Sequence, residues 1–572
     1  MRHLLCLLIF CFSFTLCAEE PQGVPPLRVV YFSPADKEPE LDRHERIGRT
    51  LKQIQDFYRK GMEANGYGPK TFALEWDSPG KLKLYDVKGK KKVTEYPKSS
   101  GWEILDEVKP VLKEQGIDTD REFVLILCQL LHWEGDVATE YGPYAGGGGT
   151  MAGVCWAIED KLVDADLLSS NEPGAYHYFT KHCSLGLFNT FYVGGLAHEL
   201  GHCFGVPHDC QTESQKEKQG ISLMGAGNHF YGKKLRGEAP DAFMSPATAM
   251  QLSVCRAFDP DFEILDMRTP WQLEKLDASY EDDGKLILEG RTDPGQKPLG
   301  IIAYNDNARI KDDYDAKAWT VVPDTSGEFR FEITDLEKVP YEMRLVALFP
   351  GGYKRTLRVQ YSNSGGEPSI EPFAAAVARK KINEFLDARY FDEVVRILDE
   401  QIEKFPDSND WRRKREHLAT LRSPGEKTVP DQVPASETKM NLADAEAGEE
   451  KVGWYQPSRN ILRECGFMEV DGMFFESGIY AHPDSKYVFS LGKKWKEFHF
   501  AYGLQDGKPG SVVFVVKGDG KELFRSRTVI AGELLLKRIG VAGVDKLELV
   551  TEDAGDGWAN DWGLWIEPEL SR

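Results

Sequence analysis

Apolar and polar positions change rhythm several times along the chain. From Leu27 to about residue 130, short apolar runs alternate with longer stretches of helical period. Leu27–Phe32 is a compact apolar run and predicts a strand. Between Arg43 and Ala64, Ile47, Leu51, Ile54, Phe57, Tyr58 and Met62 recur at helical spacing, and Asn65-Gly66 supplies a C-terminal stop. Thr71–Leu74 and Leu82–Tyr85 read as strands, Trp102–Leu112 as a second helix and Glu122–Cys128 as a buried strand. This order predicts a mixed sheet backed by two helices. The run Ala145-Gly146-Gly147-Gly148-Gly149 reads as a flexible loop. It lacks the Gly-Lys-Ser/Thr that a phosphate cradle needs. Val154–Ile158 reads as an edge strand, and Phe188–Phe204 and Ala247–Phe258 as helices.

Beyond about residue 265 the texture changes. Residues 270–361 alternate apolar and polar positions between turn signals such as Asp282-Asp283-Gly284, which predicts a small β-sandwich. Residues 373–422 are helical, with a break near Arg389-Tyr390. One helical hairpin cannot close a solenoid core, so a spacer is expected there. Residues 423–450 are rich in Pro, Ser, Glu and Ala and read as a flexible linker. Strands return from Gly453. The expected organisation is therefore multidomain: an α+β domain over 25–265, a β-sandwich over 266–362, a helical hairpin spacer over 363–422, the linker, and a β-rich domain over 451–572.

The length, 572 residues, requires several cores. A formal net charge of −21 argues against nucleic acid as a partner, because phosphate binding needs a basic face. Met1-Arg2-His3 followed by the apolar run Leu4–Leu16 reads as a signal peptide cleaved after Ala18. No later run approaches transmembrane length, so a secreted, periplasmic or cell-surface protein with no transmembrane segment after signal removal is expected. Six cysteines fall between Cys128 and Cys255, and in an exported chain they predict disulfides whose pairing the sequence leaves open.

Candidate chemistry concentrates at His198-Glu199-Leu200-Gly201-His202-Cys203-Phe204-Gly205-Val206-Pro207-His208-Asp209. His198 and His202 are four apart on a predicted helix, so both imidazoles project from one face. Gly205 lets the chain leave the helix and return His208 as a third ligand. Three protein ligands leave a fourth position open on Zn²⁺, as a catalytic site requires. Glu199 is placed to accept a proton from zinc-bound water. Cys203 lies inside the motif, where it is either an added soft ligand or, as the exported context favours, a disulfide partner.

These residues resemble the metzincin zinc endopeptidases, whose long HExxHxxGxxH motif is followed by a methionine turn. Ile221-Ser222-Leu223-Met224-Gly225 is the matching turn, and the resemblance implies that Met224 forms an apolar floor beneath the histidines. Asp209 resembles the acid of the reprolysin or adamalysin branch, where it is buried and supports that turn. A metzincin-type zincin fold over the first domain is what the resemblance implies.

From Gly453-Trp454, through Gly478-Ile479-Tyr480-Ala481-His482, to Asp553-Ala554-Gly555-Asp556-Gly557 and Asn560-Asp561, the chain resembles the NPCBM domains, a β-sandwich family regarded as carbohydrate-binding. Trp454, Tyr480, His482, Trp558, Asn560 and Trp565 offer the aromatic faces and polar groups that sugars need. The acidic turn Asp553–Asp556 offers oxygen ligands for Ca²⁺. Asp561-Trp562-Gly563-Leu564-Trp565 departs from the family's Asp-His-Ala-Asp-Trp. The function expected is a secreted zinc endopeptidase acting on protein or glycoprotein, with a glycan ligand for its last domain. The alternative is a glycan-binding or adhesion protein with a non-catalytic zincin domain.

Overall fold

The computed structural model describes residues 20–177, 181–265, 271–310, 313–422, 425–462 and 466–572. The expected leader and Cys465 lie outside them. The chain divides into two compact units, one ending at Phe373 and the other beginning at Ala374.

The first unit is built on a five-stranded sheet. Tyr85–Lys88, Arg28–Ser33, Phe123–Cys128 and Gly153–Ile158 run parallel in that order, and Ala145–Gly148 closes the edge antiparallel. Phe123–Cys128 and Gly153–Ile158 are buried at every position, which suits strands covered on both faces. Helix Arg43–Ala64 buries Ile47, Leu51, Ile54, Tyr58 and Met62, and Gly101–Glu114 is the second helix. Thr71–Leu74 forms no strand; only Ala73 bridges to Pro26. Pro79-Gly80, with Gly80 at φ +77°, turns Trp76–Ser78 back on Lys81–Leu82 as a small hairpin. The sheet position expected for Leu82–Tyr85 therefore falls to Tyr85–Lys88.

The glycine run corrects two expectations. It is a strand, not a loop, and it is itself the sheet's edge, so Val154–Ile158 lies inside. Period two explains the glycines. A Cβ on Gly146 would come within 2.0 Å of the Glu199 carbonyl oxygen, and one on Gly148 within 2.1 Å of that of Cys203. The strand lies directly on the long helix Leu185–Cys203, with no room for a side chain between them. Gly147 and Gly149 meet nothing. The helix expected over Ala247–Phe258 is shorter. It runs Pro246–Leu252, capped by Ser245, and passes into hydrogen-bonded turns at Cys255 and Phe258.

Seven antiparallel strands follow in the same unit. Leu273–Tyr280, Leu286–Thr292 and Glu328–Ile333 form one sheet. Lys317–Val321, Gly300–Asn307, Pro340–Leu348 and Lys354–Ser362 form the other. The second sheet shares an apolar cluster with the preceding helical segment: Ala247, Met250 and Val254 pack with Ile302, Tyr304, Val346 and Leu348. One sheet of the sandwich therefore packs directly on the helical end of the α+β region.

In the second unit the expected spacer is instead part of a core. Helices Phe391–Lys404 and Asn409–Arg422, with residues from Ala375 onward in the helix before them, bury Ile382, Leu398, Trp411 and Leu418 against Phe467 and Phe474. Lys414, with a side chain 1% exposed, is held by Asp410 and Glu469, the pairing a buried ammonium needs. The expected linker also carries structure. Lys439–Asn441 pairs with Gly563–Ser571, and Glu449–Lys451 with Ser485–Ser490. Its polar composition reports exposed side chains, while its backbone extends two sheets. Those sheets, all antiparallel, enclose Trp495, Phe498, Phe500, Phe514 and Trp565. Among the described residues no helix is long and apolar enough to cross a membrane.

The alternation in the glycine strand gives a test. Gly148→Ala should lower stability by about 1–3 kcal/mol, the range for overpacking. Gly147→Ala should leave it within about 0.5 kcal/mol, as for open surface positions. Urea unfolding of the two variants measures the difference.

Candidate metal centre

Helix Leu185–Cys203 is apolar on all sides and buried along most of its length. Its end is set by sequence. Gly205 adopts φ +78°, its N–H donates to the His202 carbonyl, and the Val206 N–H donates to that of Gly201. These are the paired bonds of a Schellman cap, which needs a residue without Cβ at the left-handed position. The cap reverses the chain within three residues and brings His208 over the end of the helix.

The three imidazoles converge. His202 Nε2 lies 3.1 Å from His198 Nε2 and 3.0 Å from His208 Nε2. Their Nδ1 atoms are held from behind. That of His198 lies 2.7 Å from the Leu223 carbonyl, that of His202 2.8 Å from the Val206 carbonyl, and that of His208 2.6 Å from Asp313 Oδ1. Carbonyl oxygens only accept, so Nδ1 of His198 and His202 carries the proton and Nε2 presents a lone pair. Burial holds the His198 imidazolium down to about 3 and lowers that of His202, which keeps both rings neutral. Three lone pairs at this spacing fit one ion bound at about 2.0–2.1 Å, where tetrahedral geometry separates donors by roughly 3.3 Å. The residues present therefore fit a zinc ion.

Glu199 lies beside them. Burial pushes its carboxyl up to about 7, against the opposing hydrogen bond from the Gly146 N–H. A cation held by the histidines would draw it back down. Asp209 is fully buried and accepts from Ser222 Oγ, Ser245 Oγ and Thr248 Oγ1, the last at 2.8 Å. Burial raises its carboxyl and the three hydroxyls oppose that shift. One side chain thus ties the end of the motif to the Ser222–Met224 turn and to the helix cap at Ser245. Met224 is fully buried, and its Sδ fills the space a Cβ on Gly201 would need. The turn also supplies the Leu223 carbonyl that holds His198.

Asp313 and Tyr314 are the functional neighbours that sequence reasoning missed. Both come from the sandwich. Asp313 bonds His208 from 105 positions away, and that bond holds its carboxyl below the usual range. Tyr314 stacks on the His208 ring at 3.7 Å between centroids. The acidic stretch Asp313-Tyr314-Asp315 was the available signal, but nothing local ties it to the motif. Cys203 is corrected. It faces the sheet, fully buried, and burial raises its thiol well above the ordinary value. It is a core side chain, neither ligand nor disulfide partner. Cys128, Cys155, Cys210 and Cys255 are free thiols as well, against the expected disulfides.

In the second unit the expected sugar-facing residues separate. Tyr480, His482 and Trp565 are buried at 2%, 5% and 0% exposure, because the strands Gly478–Ala481 and Gly563–Ser571 that carry or flank them are covered on both faces where they pair. They are withdrawn from any ligand surface. Trp454 and Trp558 are 56% and 66% exposed, and Asn560 is exposed at φ +66°. Asp553, Asp556 and Asp561 bring carboxylate oxygens within 4.8 Å of one another. Ser511 donates to both Asp556 and Asp561, and an acidic cluster alone assigns no calcium.

No curated protein matches this chain. Residues 438–571 match the model of the NPCBM/NEW2 domain. Among solved structures, the chain is similar to wild-type OgpA from Akkermansia muciniphila at 22% identity, over 60% of this chain and 95% of that one, with a TM-score of 0.50. It is similar to catalytically inactive OgpA in complex with an O-glycopeptide (glycodrosocin) substrate at 23% identity, over 62% of this chain and 97% of that one, with a TM-score of 0.52. At these identities the likeness is one of fold, and it does not carry the reprolysin assignment. The chain thus joins an NPCBM/NEW2 domain to a region with the fold of OgpA.

Proposed function

We propose that this chain is a secreted zinc-dependent endopeptidase acting on glycosylated protein, with its C-terminal domain holding glycan. The observation that carries the reading is the convergence of three Nε2 lone pairs beside the Glu199 carboxylate. Held there by His198, His202 and His208, a zinc ion would supply Lewis acidity to the scissile carbonyl and to the attacking water. Glu199 takes the proton from that water and delivers it to the leaving amine. The Gly146 N–H orients the carboxylate for this transfer. Ala145–Gly148, as the sheet's edge, would offer an extended peptide the outward backbone groups that Glu199 does not occupy. Met224 and the buried Asp209 support a metzincin arrangement, and the reprolysin-like branch rests on Asp209 alone. The O-glycopeptide bound by OgpA supports a glycosylated peptide as the substrate class. The NPCBM/NEW2 match, with Trp454 and Trp558 exposed, supports a glycan-holding role that raises local substrate concentration without altering the active site. The apolar leader before Glu19 supports export.

Glu199→Ala should lower kcat by at least about a hundredfold, the usual contribution of a positioned base. It should keep its zinc. Cleavage assays on denatured and glycosylated proteins, with metal analysis of both chains, test this. Equal cleavage by the two, or an unmodified chain without zinc, overturns the reading. Asp313→Asn should weaken zinc affinity by roughly 10- to 100-fold, as loss of a partner behind a metal-bound imidazole does. Competition with a chromophoric chelator measures it, and an unchanged melting temperature separates it from misfolding. Replacing Trp454 and Trp558 together by Ala in the full chain should abolish retention on a glycan array while sparing cleavage of an unglycosylated peptide.

A further inference from the structure

A cavity of about 390 Å³ opens beside His202, within the first unit. Gly146–Gly148 and Val206 form one side, and the sandwich residues Tyr304, Arg344, Lys354 and Arg358 form the other. Three cations line it and no carboxylate does, in a chain whose net charge is −21. Two of the cations are shared. Arg344 lies 3.4 Å from Asp313 and 3.8 Å from Asp306, and Arg358 pairs with Glu342. Lys354 is different: it donates to the Gly205 carbonyl at 2.9 Å and makes no ion pair among the described residues. Burial lowers its ammonium to about 8, so an arriving anion restores what desolvation costs it. Arg344 Nε and Gln251 Oε1 are buried without partners among the described residues. The Tyr304 hydroxyl accepts from Gln251 Nε2 at 3.3 Å and keeps its own proton to donate. Donors, an acceptor and unpaired positive charge thus meet in one volume. That volume lies in the range of roughly 300–1,000 Å³ typical of small-molecule sites, far beyond what an Asp or Glu side chain fills.

We infer that this cavity is a subsite for a negatively charged sugar, bearing a carboxylate or a sulfate ester, on a glycan attached next to the scissile bond. The inference rests on the proposed peptidase function and names the part of the substrate that function would select. The unpaired Lys354 and the Arg358 fork bind the anion, and Tyr304 and Gln251 meet hydroxyls. Because Arg344 also reaches Asp313, which holds His208, an anion here is sensed one contact from the metal site.

The test uses the full chain and four peptides of one sequence. One carries Glu at the glycosylated position, one a neutral O-glycan, one the same glycan ending in N-acetylneuraminic acid, and one the same glycan bearing a sulfate. At low salt, at least one anionic glycopeptide should exceed the neutral one in kcat/KM by fivefold or more, and the two anionic arms tell carboxylate from sulfate. The ratio should fall toward one in Lys354→Gln and in Arg358→Gln. Arg358 makes no contact with the metal motif, so its variant separates charge from damage at Gly205. The ratio should survive in Lys60→Gln, on the exposed face of helix Arg43–Ala64. Rising salt should erode it, since exposed charges are screened within about 10 Å at 0.1 M. A neutral glycopeptide cut as well as both anionic ones, a ratio that survives both substitutions, or a preference for the Glu peptide overturns the inference. If no peptide is cut, the peptidase reading falls. Calorimetric binding of the neutral and anionic glycopeptides to the Glu199→Ala chain then decides the subsite by the same ratio.

Discussion

Three imidazoles cannot be expected to gather their Nε2 atoms at 3.0–3.1 Å around that of His202 without being held there. The structure holds them by their opposite nitrogens. The Leu223 and Val206 carbonyls and the Asp313 carboxylate each take an Nδ1 proton, and in doing so fix the tautomer and rotation of one ring. Each of those acceptors is in turn held by something else. Leu223 sits on the turn stapled by Asp209, Val206 sits in the helix cap that Gly205 permits, and Asp313 sits on the sandwich. Preorganisation of this kind moves the cost of gathering ligands from metal binding to folding.

The glycine strand imposes a second constraint. A helix that brings His198 and His202 to a sheet edge must lie close enough for Glu199 to reach a backbone N–H. Gly146 and Gly148 make that approach possible, and Gly153 does the same on the neighbouring strand. Close approach is usually obtained with small side chains. Here it is obtained with none, so strand and helix backbones are in direct contact.

The parts legible in the sequence were those whose causes are local. The i, i+4 spacing of His198 and His202, the cap at Gly205 and the period of helix Arg43–Ala64 all act within a few residues of themselves. Asp313 was illegible because its meaning depends on a contact across 105 positions. The glycine run is ambiguous in sequence because flexibility and close packing call for the same residue. Trp565, Tyr480 and His482 look like sugar-binding groups by chemistry, and only the packing of the folded domain shows that they are buried. Residues 423–450 read as linker because composition reports on side chains, while the structural role of Lys439–Asn441 and of the strand beginning at Glu449 is carried by backbone pairing.

The provenance of Asp313 sets an order of assembly. A chain emerging during synthesis carries the whole histidine motif by residue 209, but the group that orients the third ring arrives about a hundred residues later and is useful only once the sandwich has formed. Until then the third ring lacks the Asp313 carboxylate that fixes its rotation. Ordering of the third ring is thereby coupled to completion of the unit's fold, so the convergence of the three imidazoles reports that both the helix and the sandwich are in place.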